Sequence, residues 1–358
     1  MGAQRIRLTL AGLMAGVLVA ACSGTAGETA TNTSPAAGPT TTTAATTSGP
    51  VDKLVFAYPV DSPNLSDVEI SIAQDEGLFE KLGLEVEYKF LNGAAPGFQA
   101  LIADQADLSW LGADQFYKAA QSGEKLVAVL DVAPGSQYYL LANGKIKDWT
   151  DLATARVGIS QPGTLSQSIV QLAMKANNIE AGKTQWLAVG GSGARRQALI
   201  SDRIDAGIGH ATDVVALESN NIKPFADLTE VLPDLQGYVT VGKAGTVDKK
   251  RDAIIKFSAA MIQGARMAYA DKDLAVKAFV KHRKGATEAD ANKAYDLLRE
   301  GAWNRNGGMD EKSYTYTTQT LIDAGTLKSP APAFDALYDK SIQEAALKLA
   351  DETWGSAS

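Results

Sequence analysis

The sequence predicts an α/β protein built from two similar lobes that face each other across a cleft. Three observations support this prediction. From Val51 onward, short apolar strands alternate with amphipathic helices, which is the pattern of α/β layers with largely parallel sheets. A nine-residue segment at 99–107 recurs at 197–205, in the same helix-then-strand setting. The composition, with 45% apolar and 21% charged residues, is that of a soluble globular protein.

The N-terminus has the features of a secretion signal that ends at the one cysteine of the chain. Arg5 and Arg7 precede an apolar run of 14 residues, 8–21. This run is shorter than the roughly 20 residues of a membrane span and is typical of a signal peptide. The small residues before Cys22 resemble the bacterial lipoprotein box, which implies cleavage of residues 1–21 and a diacylglycerol on the Cys22 thiol. The alternative is an ordinary signal peptide with an incidental cysteine.

Residues 22–50 are predicted to form a disordered tether. Of the 28 residues from 23 to 50, 26 are Ser, Thr, Ala, Gly or Pro. This composition cannot bury enough apolar surface to offset the entropy lost on ordering. As a flexible coil, the segment reaches about 30 Å. We therefore expect a protein that the lipid alone holds at the outer face of the cytoplasmic membrane.

The folded part begins with a buried strand at 53–59. Ser66 and Glu69 have the spacing of a capping box, with Ser66 as the N-cap, and predict a helix through about Phe79. Residues 84–90 then alternate like a strand. Further short strands are predicted at 107–111, 125–132, 137–142, 156–160, 184–189, 205–209 and 238–241.

The internal repeat indicates two units of similar plan. The segments QALIADQAD (99–107) and QALISDRID (197–205) share six of nine residues, and each follows a glycine-rich loop. Residues 63–66 have a counterpart in 163–166, which also follows a strand and opens a helix. Two matches in the same order favour duplicated α/β units with a cleft between them.

The repeat sets the predicted domain boundaries. Lobe I comprises residues 51–141 plus 238–358, and lobe II comprises residues 142–237. The chain crosses between the lobes near 138–142 and 236–241, which we expect to be two hinge strands. The remaining segment is mostly helical, and its first helix is expected to pack on lobe I. Its helices are predicted at 247–269, 287–300, 311–324 and 334–350.

The residue counts exclude several chemistries. One cysteine rules out a disulfide framework and a cysteine-based zinc or iron–sulfur site, and two histidines are too few for a histidine-based metal centre. We therefore predict no metal and no cofactor. The net charge of −7 argues against a nucleic-acid partner. The sequence has no G-x-S-x-G, P-loop or H-E-x-x-H motif, and we predict that the protein is not an enzyme.

The candidate ligand contacts lie where the predicted strands end, because ligands of α/β sheets bind outside the carboxyl ends of the strands. The candidates are Tyr58, Asn64, Ser66, Gly93, Ala94, Trp110, Gly112, Asp114, Thr164, Ser166, Gly191, Ser192, His210 and Asp213. These residues supply hydroxyls, an amide, aromatic rings and backbone donors at helix starts. Such a set suits a small polar or anionic molecule.

Some of these candidates have a structural alternative. Asp114 and Asp213 are either N-caps of the following helices or cleft-facing carboxylates, which would repel an anion and favour a ligand with amino groups. Ser66 and Ser166 are likewise either caps or ligand contacts.

The same ambiguity applies to the larger side chains. Trp110 is either core or a stacking face. His210 is either a capping or hinge-packing residue or a hydrogen-bond donor to a ligand, since no nucleophile partner is recognisable for a catalytic base. His282 lies in a basic helix end that we interpret as solvated and inert. Arg195 and Arg196 fit a solvated helix face better than an anion clamp.

Four segments resemble the solute-binding lipoproteins of ABC importers for nitrate, sulfonates, taurine, bicarbonate and thiamine precursors. They are 72–86 (IAQDEGLFEKLGLEV), 104–108 (DQADL), 148–153 (DWTDLA) and 203–207 (RIDAG). The second segment departs from the family pattern, because Asp104 stands where glycine is usual. The resemblance implies a two-lobed periplasmic-binding-protein fold of type II that closes on its ligand.

The resemblance also implies a function. The protein would be the lipid-anchored substrate-binding component of an ABC importer, which delivers a sulfonate-, nitrate- or taurine-type molecule or a thiamine-precursor pyrimidine to a permease. We expect it to be a monomer. Two alternatives are a ligand sensor for a membrane signalling partner and an envelope-anchored enzyme that uses His210 and Asp213. Fungal relatives that synthesise the thiamine pyrimidine have a cysteine-rich iron site, which this sequence lacks.

Overall fold

The computed structural model describes residues 51–59, 64–91, 93–133, 135, 137–298 and 302–356. These residues belong to one compact unit that runs from Thr47 to Ser358. The predicted signal peptide (1–21), the predicted lipidation site Cys22 and the predicted tether lie outside the described residues, and so does the side chain of Ala94. Within the described part of the chain, no helix is long and apolar enough to cross a membrane.

The described residues form ten strands and fifteen α-helices. The strands are β1 (Asp52–Tyr58), β2 (Leu84–Phe90), β3 (Leu108–Gly112), β4 (Leu126–Asp131), β5 (Tyr139–Ala142), β6 (Arg156–Ile159), β7 (Gln185–Ala188), β8 (Ala206–Gly209), β9 (Lys223–Asp227) and β10 (Tyr238–Lys243). The helices are α1 (Glu69–Asp75), α2 (Leu78–Lys81), α3 (Ala94–Ile102), α4 (Ala113–Gln121), α5 (Leu165–Ala176), α6 (Ser192–Ile200), α7 (Ala211–Leu217), α8 (Leu228–Val231), α9 (Ala244–Lys249), α10 (Arg251–Ala270), α11 (Lys272–His282), α12 (Glu288–Asp296), α13 (Glu311–Asp323), α14 (Phe334–Leu337) and α15 (Lys340–Trp354).

Two five-stranded sheets of matching topology form the frame. The first sheet, which defines lobe I, has the order β2-β1-β3-β10-β4, and the second, which defines lobe II, has the order β7-β6-β8-β5-β9. In each sheet, the fourth strand runs antiparallel to its neighbours. Strand β10 joins the first sheet from beyond the second lobe in the chain, whereas β5 is the first strand of the second sheet in chain order. The predicted duplication is therefore present in the strand order, and the fold class is α/β with two mixed sheets.

The crossings between the lobes differ from the predicted ones. Lobe I was expected to extend to residue 141, but β5 pairs with β8 and β9 of the second sheet. The chain therefore crosses between Asp131 and Tyr139 and returns between Val231 and Tyr238. Sequence patterning cannot reveal this, because β5 is apolar enough to belong to either sheet.

The aspartates that the two repeats share have the same structural role in both lobes. Asp104 and Asp202 each have a φ of 54°, the left-handed conformation that glycine adopts most readily. This explains why glycine is the usual residue at position 104 in the resembling family. Three residues later, the Asp107 carboxylate accepts a hydrogen bond from the Val55 N–H at 2.7 Å, and the Asp205 carboxylate accepts one from the Arg156 N–H at 3.0 Å. Each of these later aspartates thus ties two neighbouring strands together.

Two local predictions were wrong. The expected capping box does not form, because Asn64 is the N-terminal cap and Ser66 lies inside the short 3-10 turn Leu65–Asp67 that precedes α1. Strand β9 was not predicted, because it contains Pro224, which has no backbone N–H to donate to a neighbouring strand. The strand lies at the edge of the second sheet, where a proline is tolerated. The predicted packing of the first C-terminal helix is confirmed, since Phe257 of α10 stacks on Phe56 of lobe I.

Candidate functional site

A cleft between the two lobes contains most of the predicted contact residues. It has two adjoining halves, which share Pro59, Asn64, Tyr138, His210 and Tyr238 as lining residues. A third cavity continues from it along the glycine-rich loop at 189–194. The predicted residues that line these cavities are Asn64, Ser66, Gly93, Trp110, Thr164, Ser166, Gly191, Ser192 and His210. The cleft is therefore built from both lobes.

Four other predicted residues do not line the cavities. Tyr58 is buried in lobe I, where its hydroxyl donates to the Asp67 carboxylate at 3.3 Å. Gly112 and Asp114 lie at the start of α4, behind the cleft, and Asp114 bonds to lobe II rather than capping its own helix. Asp213 is buried below the cleft floor. These positions correct the expectation that each strand-end residue would point into the cleft.

One half of the cleft is aromatic. Trp110 packs edge-on against Tyr58 with ring centroids 4.9 Å apart, and its indole N–H donates to the Thr240 hydroxyl at 3.1 Å. Tyr138 lies against the His210 ring, with ring centroids 4.7 Å apart, and Tyr238 lines the same cavity. This half encloses about 570 Å³, including its open mouth. These contacts fix the orientation of the aromatic rings. The walls of this half can therefore pack against a flat apolar face of a ligand.

A carboxylate lies within this aromatic half. Asp67 lines the cavity, and burial raises its pKa to about 7, although hydrogen bonds from Tyr58 and the charge of Arg283 oppose the rise. Its Oδ1 atom is buried and has no hydrogen-bond partner among the described residues. An acceptor without a partner in a cavity is a position for a ligand N–H or O–H group.

His210 is a second polar group of the aromatic half. It caps the N-terminus of α7, and burial lowers the pKa of its imidazole to about 4, so the ring is neutral at pH 7. Within the described part of the chain, its Nδ1 atom is buried without a hydrogen-bond partner. His210 is therefore available to a ligand as an uncharged donor or acceptor, while it also packs at the hinge against Tyr138.

The other half of the cleft is lined by hydroxyls and helix starts. The Ser166 hydroxyl accepts from the Ser160 N–H at 2.8 Å and lies 2.9 Å from the Thr164 hydroxyl. Gly191 caps the N-terminus of α6, and Thr164 that of α5, so unpaired backbone N–H groups of both helices face this region. This half suits an oxygen-bearing substituent of a ligand.

Arg195 supports this second half from below, which the sequence did not predict. The expected solvated face is wrong at this position, because Arg195 is only 5% exposed. Its guanidinium donates to the Ser160 hydroxyl at 2.7 Å and to the carbonyl oxygens of Gly190 and Ile208, both at 3.0 Å. The side chain lies over Gly207, where a Cβ atom would approach it to 3.6 Å. The positive charge of Arg195 therefore lies against the loop and not in solvent.

Asp213 links the glycine-rich loop to the start of α7. Its carboxylate accepts from the His210 N–H at 3.0 Å, from the Arg196 guanidinium at 2.7 Å and from the Ser192 hydroxyl. Burial alone would raise the pKa of Asp213, but these contacts together with His210 hold it below its usual value. Of the two alternatives from the sequence, the structure therefore places Asp213 as a cap and loop anchor.

Basic side chains border the mouth of the cleft. Arg283 donates to the Asn64 side-chain oxygen at 2.9 Å, and Arg283 and Lys284 line the same cavity as the glycine-rich loop. His282 is paired with Asp75 through its Nε2 atom at 2.9 Å. The segment that looked like a solvated helix end is thus packed against lobe I beside the cleft.

Sequence reasoning missed Asp67, Tyr138 and Tyr238, and it assigned Arg195 to a solvated helix face. One signal could have located the tyrosines: Tyr138 directly precedes β5 and Tyr238 begins β10, the first strand after each crossing between the lobes. No comparable signal marks Asp67, whose burial depends on the fold. Among the described residues, no group of three or more His, Cys, Asp or Glu side chains is placed to hold a metal ion.

Comparison with known proteins identifies related sequences. The model of a family described as NMT1/THI5 like matches residues 66–275. A relative from Haemophilus influenzae, described as a putative thiamine biosynthesis protein, is 25% identical over 278 residues, which cover 74% of this chain and 85% of the relative.

Solved structures share the fold over nearly their whole length. The alkanesulfonate-binding protein SsuA from Xanthomonas axonopodis pv. citri has a TM-score of 0.68 at 14% identity, covering 82% of this chain and 100% of that chain. The ligand-binding component of an ABC-type import system from Staphylococcus aureus has a TM-score of 0.67 at 15% identity, covering 82% and 99%. The fold is therefore that of the periplasmic binding proteins, as predicted.

Proposed function

The chain belongs to the NMT1/THI5-like family, and from that premise we propose that it is the substrate-binding component of an ABC importer. In this function, the two lobes close around one small molecule and present it to a permease. Solved structures of the same fold come from ligand-binding components of import systems. The observation that carries the proposal is the cleft itself, whose walls come from both lobes and contain buried polar atoms without partners among the described residues.

The chemistry of the cleft favours one of the predicted ligand classes. A flat nitrogen heterocycle would pack against the aromatic side chains that line this half, Trp110, Tyr138 and Tyr238, and its amino group would donate to Asp67. A hydroxyl or other oxygen-bearing substituent would reach Ser166 and the start of α6. We infer an aminopyrimidine of the thiamine-precursor type, which agrees with the description of the Haemophilus influenzae relative.

A small inorganic or sulfonate anion is the less favoured ligand class. Asp67 would repel it from the aromatic half, and Arg195 is already committed to the serine hydroxyl and the loop carbonyls. A sulfonate, taurine or nitrate would have only the second half of the cleft, where hydroxyls and helix N-termini donate. The ligand panel below decides between the two classes.

We propose further that the protein is a monomer at the outer face of the cytoplasmic membrane, anchored through Cys22. The lipoprotein box and the Ser/Thr/Ala-rich segment 23–50 support this. Metabolic labelling with a fatty acid tests it, with the Cys22→Ala variant as the matched control. Labelled wild-type protein and unlabelled variant are expected; equal labelling of both, or of neither, would contradict lipidation at Cys22.

The binding function is tested by calorimetry and thermal unfolding of residues 47–358, which form one compact unit. The panel comprises a hydroxymethyl aminopyrimidine, taurine, an aliphatic sulfonate, nitrate and bicarbonate. A ligand at 100 times its dissociation constant stabilises the fold by about 2.7 kcal/mol, which is a shift of several degrees. Small-angle scattering should show compaction with the same compound. Saturable binding without compaction would contradict closure, and no binding by any compound would contradict the receptor function.

A further inference from the structure

The two lobes touch on two flanks that the internal repeat relates to each other. On the first flank, α4 of lobe I packs on α5 of lobe II, and Phe116 and Ile169 belong to one buried apolar cluster. On the second flank, α7 of lobe II packs on α12 of lobe I, and Ala211 of α7 shares a buried apolar cluster with Val68, which precedes α1. Helices α4 and α7 are repeat partners, since their first residues lie 98 positions apart.

The first flank contains a buried polar contact between the lobes. The Ser168 hydroxyl on α5 donates to the Asp114 carboxylate on α4 at 3.0 Å, and Asp114 is only 1% exposed. Lys118 of α4 pairs with Asp114 at 3.3 Å and also donates to the Gly163 carbonyl of lobe II at 2.9 Å. The lobes are close here, because a Cβ atom at Gly112 would lie 3.2 Å from the Leu165 side chain.

The second flank lacks this contact. The repeat aligns Asp114 with Thr212, at an offset of 98, and Ser168 with Val68, at an offset of 100. Val68 is apolar, and the Thr212 hydroxyl has no hydrogen-bond partner within the described residues. The second flank has other bonds between the lobes, from Lys293 to the Glu218 carboxylate at 3.3 Å and from the Tyr139 hydroxyl to the Leu297 carbonyl at 2.9 Å. Thr212, the counterpart of Asp114, has no side-chain hydrogen bond among the described residues and therefore provides a matched control.

The polar contact is also connected to the ligand cleft. Lys118 donates a hydrogen bond to the Gly163 carbonyl oxygen. Two residues that follow Gly163 in the chain, Thr164 and Ser166, line the cavity. A helix of lobe I thus positions a ligand-contacting loop of lobe II. This arrangement requires the lobes to be together, because the bonds from Ser168 to Asp114 and from Lys118 to Gly163 join one lobe to the other.

We propose that Asp114, Lys118 and Ser168 form a latch that holds the two lobes in the closed arrangement and keeps the loop at 163–166 in position around the ligand. Separation of the flank would expose the Asp114 carboxylate to water and leave Ser168 without its acceptor. This proposal depends on the proposed function in one respect: closure of the lobes must retain the ligand. Asp114 and Ser168 are positioning residues, because neither lines the cavity.

Spin labels on the two lobes can measure the latch. Residues 47–358 contain no cysteine, so exposed Gln99 of α3 and Gln197 of α6 can each be replaced by a labelled cysteine. Pulsed electron resonance then reports the distance between the lobes without ligand. Ser168→Ala is expected to shift the population toward longer distances, lowering the ratio of closed to open form about tenfold. Thr212→Ala, the matched control on the second flank, should leave the distribution unchanged.

A double-variant comparison separates a latch from a local structural effect. Asp114→Ala should shift the distances in the same direction as Ser168→Ala, and the double variant should shift them no further than Asp114→Ala alone, because Asp114→Ala already removes the bond from Ser168. Additive shifts, or an equal shift in Thr212→Ala, would overturn the proposal. Unchanged distances in folded Ser168→Ala would do the same.

The hydroxymethyl aminopyrimidine distinguishes failure of the latch from failure of the proposed function. If the compound shortens the distances in the wild type while Ser168→Ala changes nothing, closure is right and the latch is wrong. If no compound of the panel shortens them while Ser168→Ala lengthens them, the latch is right and the proposed ligand function is wrong. With a working latch, the compound should also leave Ser168→Ala faster than it leaves the wild type.

Discussion

Replacing Asp67 by asparagine should stabilise the protein at alkaline pH while weakening ligand binding. Burial raises the pKa of the Asp67 carboxyl to about 7 in the folded protein, against 3.8 for an ordinary aspartate. Its Oδ1 atom has no partner among the described residues. The folded protein therefore carries an unfavourable charge above pH 7, and the amide of the Asp67→Asn variant would remove this charge with little change of shape.

The magnitude follows from the two pKa values. A rise from 3.8 to about 7 corresponds to about 4 kcal/mol of lost stability once the group is ionised in both states. Asp67 retains partial contact with solvent, which screens the charge, so we expect a gain of about 2 kcal/mol for Asp67→Asn. That is a large fraction of the stability of an ordinary domain.

The sign of the effect depends on pH. Between about pH 4 and pH 7, folded wild type holds a proton that the unfolded chain has released, so its stability falls as the pH rises through this window. Asparagine has no proton to lose. Urea unfolding of residues 47–358 should therefore give the same stability for the two proteins near pH 4 and a more stable Asp67→Asn variant at pH 8.

Asp213→Asn is the matched control with the opposite sign. Contacts with His210, Ser192 and Arg196 hold the pKa of Asp213 below its usual value, so its carboxylate stabilises the fold above that range and loses the effect as the pH falls. This variant should be destabilised at pH 8. A loss of stability in Asp67→Asn at pH 8, or an equal change at both pH values, would refute the reasoning.

The same variant tests the assignment of Asp67 to the ligand. An amide in place of the carboxylate should weaken binding of the hydroxymethyl aminopyrimidine about tenfold or more, measured by calorimetry, because a charged acceptor is lost. Gain of stability with loss of binding is the behaviour of a functional residue rather than a structural one. Unchanged affinity would remove Asp67 from the ligand site.

Three further predictions concern other parts of the molecule. The His210 imidazole should titrate near pH 4 by NMR, because burial disfavours its charged form. The His282→Gln variant assigns the signals, and titration of His210 near pH 6.5 would contradict its burial. Asp107→Asn and Asp205→Asn should each destabilise the fold by about 2 kcal/mol in urea without changing probe affinity, since each ties two strands away from the cleft. Asp104→Ala should be about 1 kcal/mol less stable than Asp104→Gly, because of its φ of 54°; equal stability would exclude strain there.

Patterns that repeat along the chain predicted the elements well. Strand β2 was predicted at its observed bounds, and β1 and β3 to within one residue, because buried strands leave short apolar runs between turn residues. The edge strand β9 was not predicted, because none of its residues is fully buried and it contains Pro224. The capping box at Ser66 and Glu69 failed because two spaced residue types cannot show that the chain begins its turn two residues earlier, at Asn64.

The candidate site was predicted only in outline. Residues at strand ends, such as Ser166 and His210, line the cleft because the carboxyl ends of the strands meet there. The direction in which each side chain points depends on the twist of the sheet and the packing of the following helix. Asp114 was therefore placed correctly along the chain but points toward the other lobe, and Asp67 was missed.

The sequence by itself determined the α/β class, the duplicated plan and the family, because these are properties of residue order and periodicity. Only the tertiary structure decided which groups meet across the cleft: a carboxylate beside Tyr138 and Tyr238, an arginine beneath the loop, and a hydrogen bond between the lobes from Ser168 to Asp114. The physical reason is burial. The pKa of Asp67, the neutrality of His210 and the role of Asp114 all arise from removal of water by residues distant in the chain.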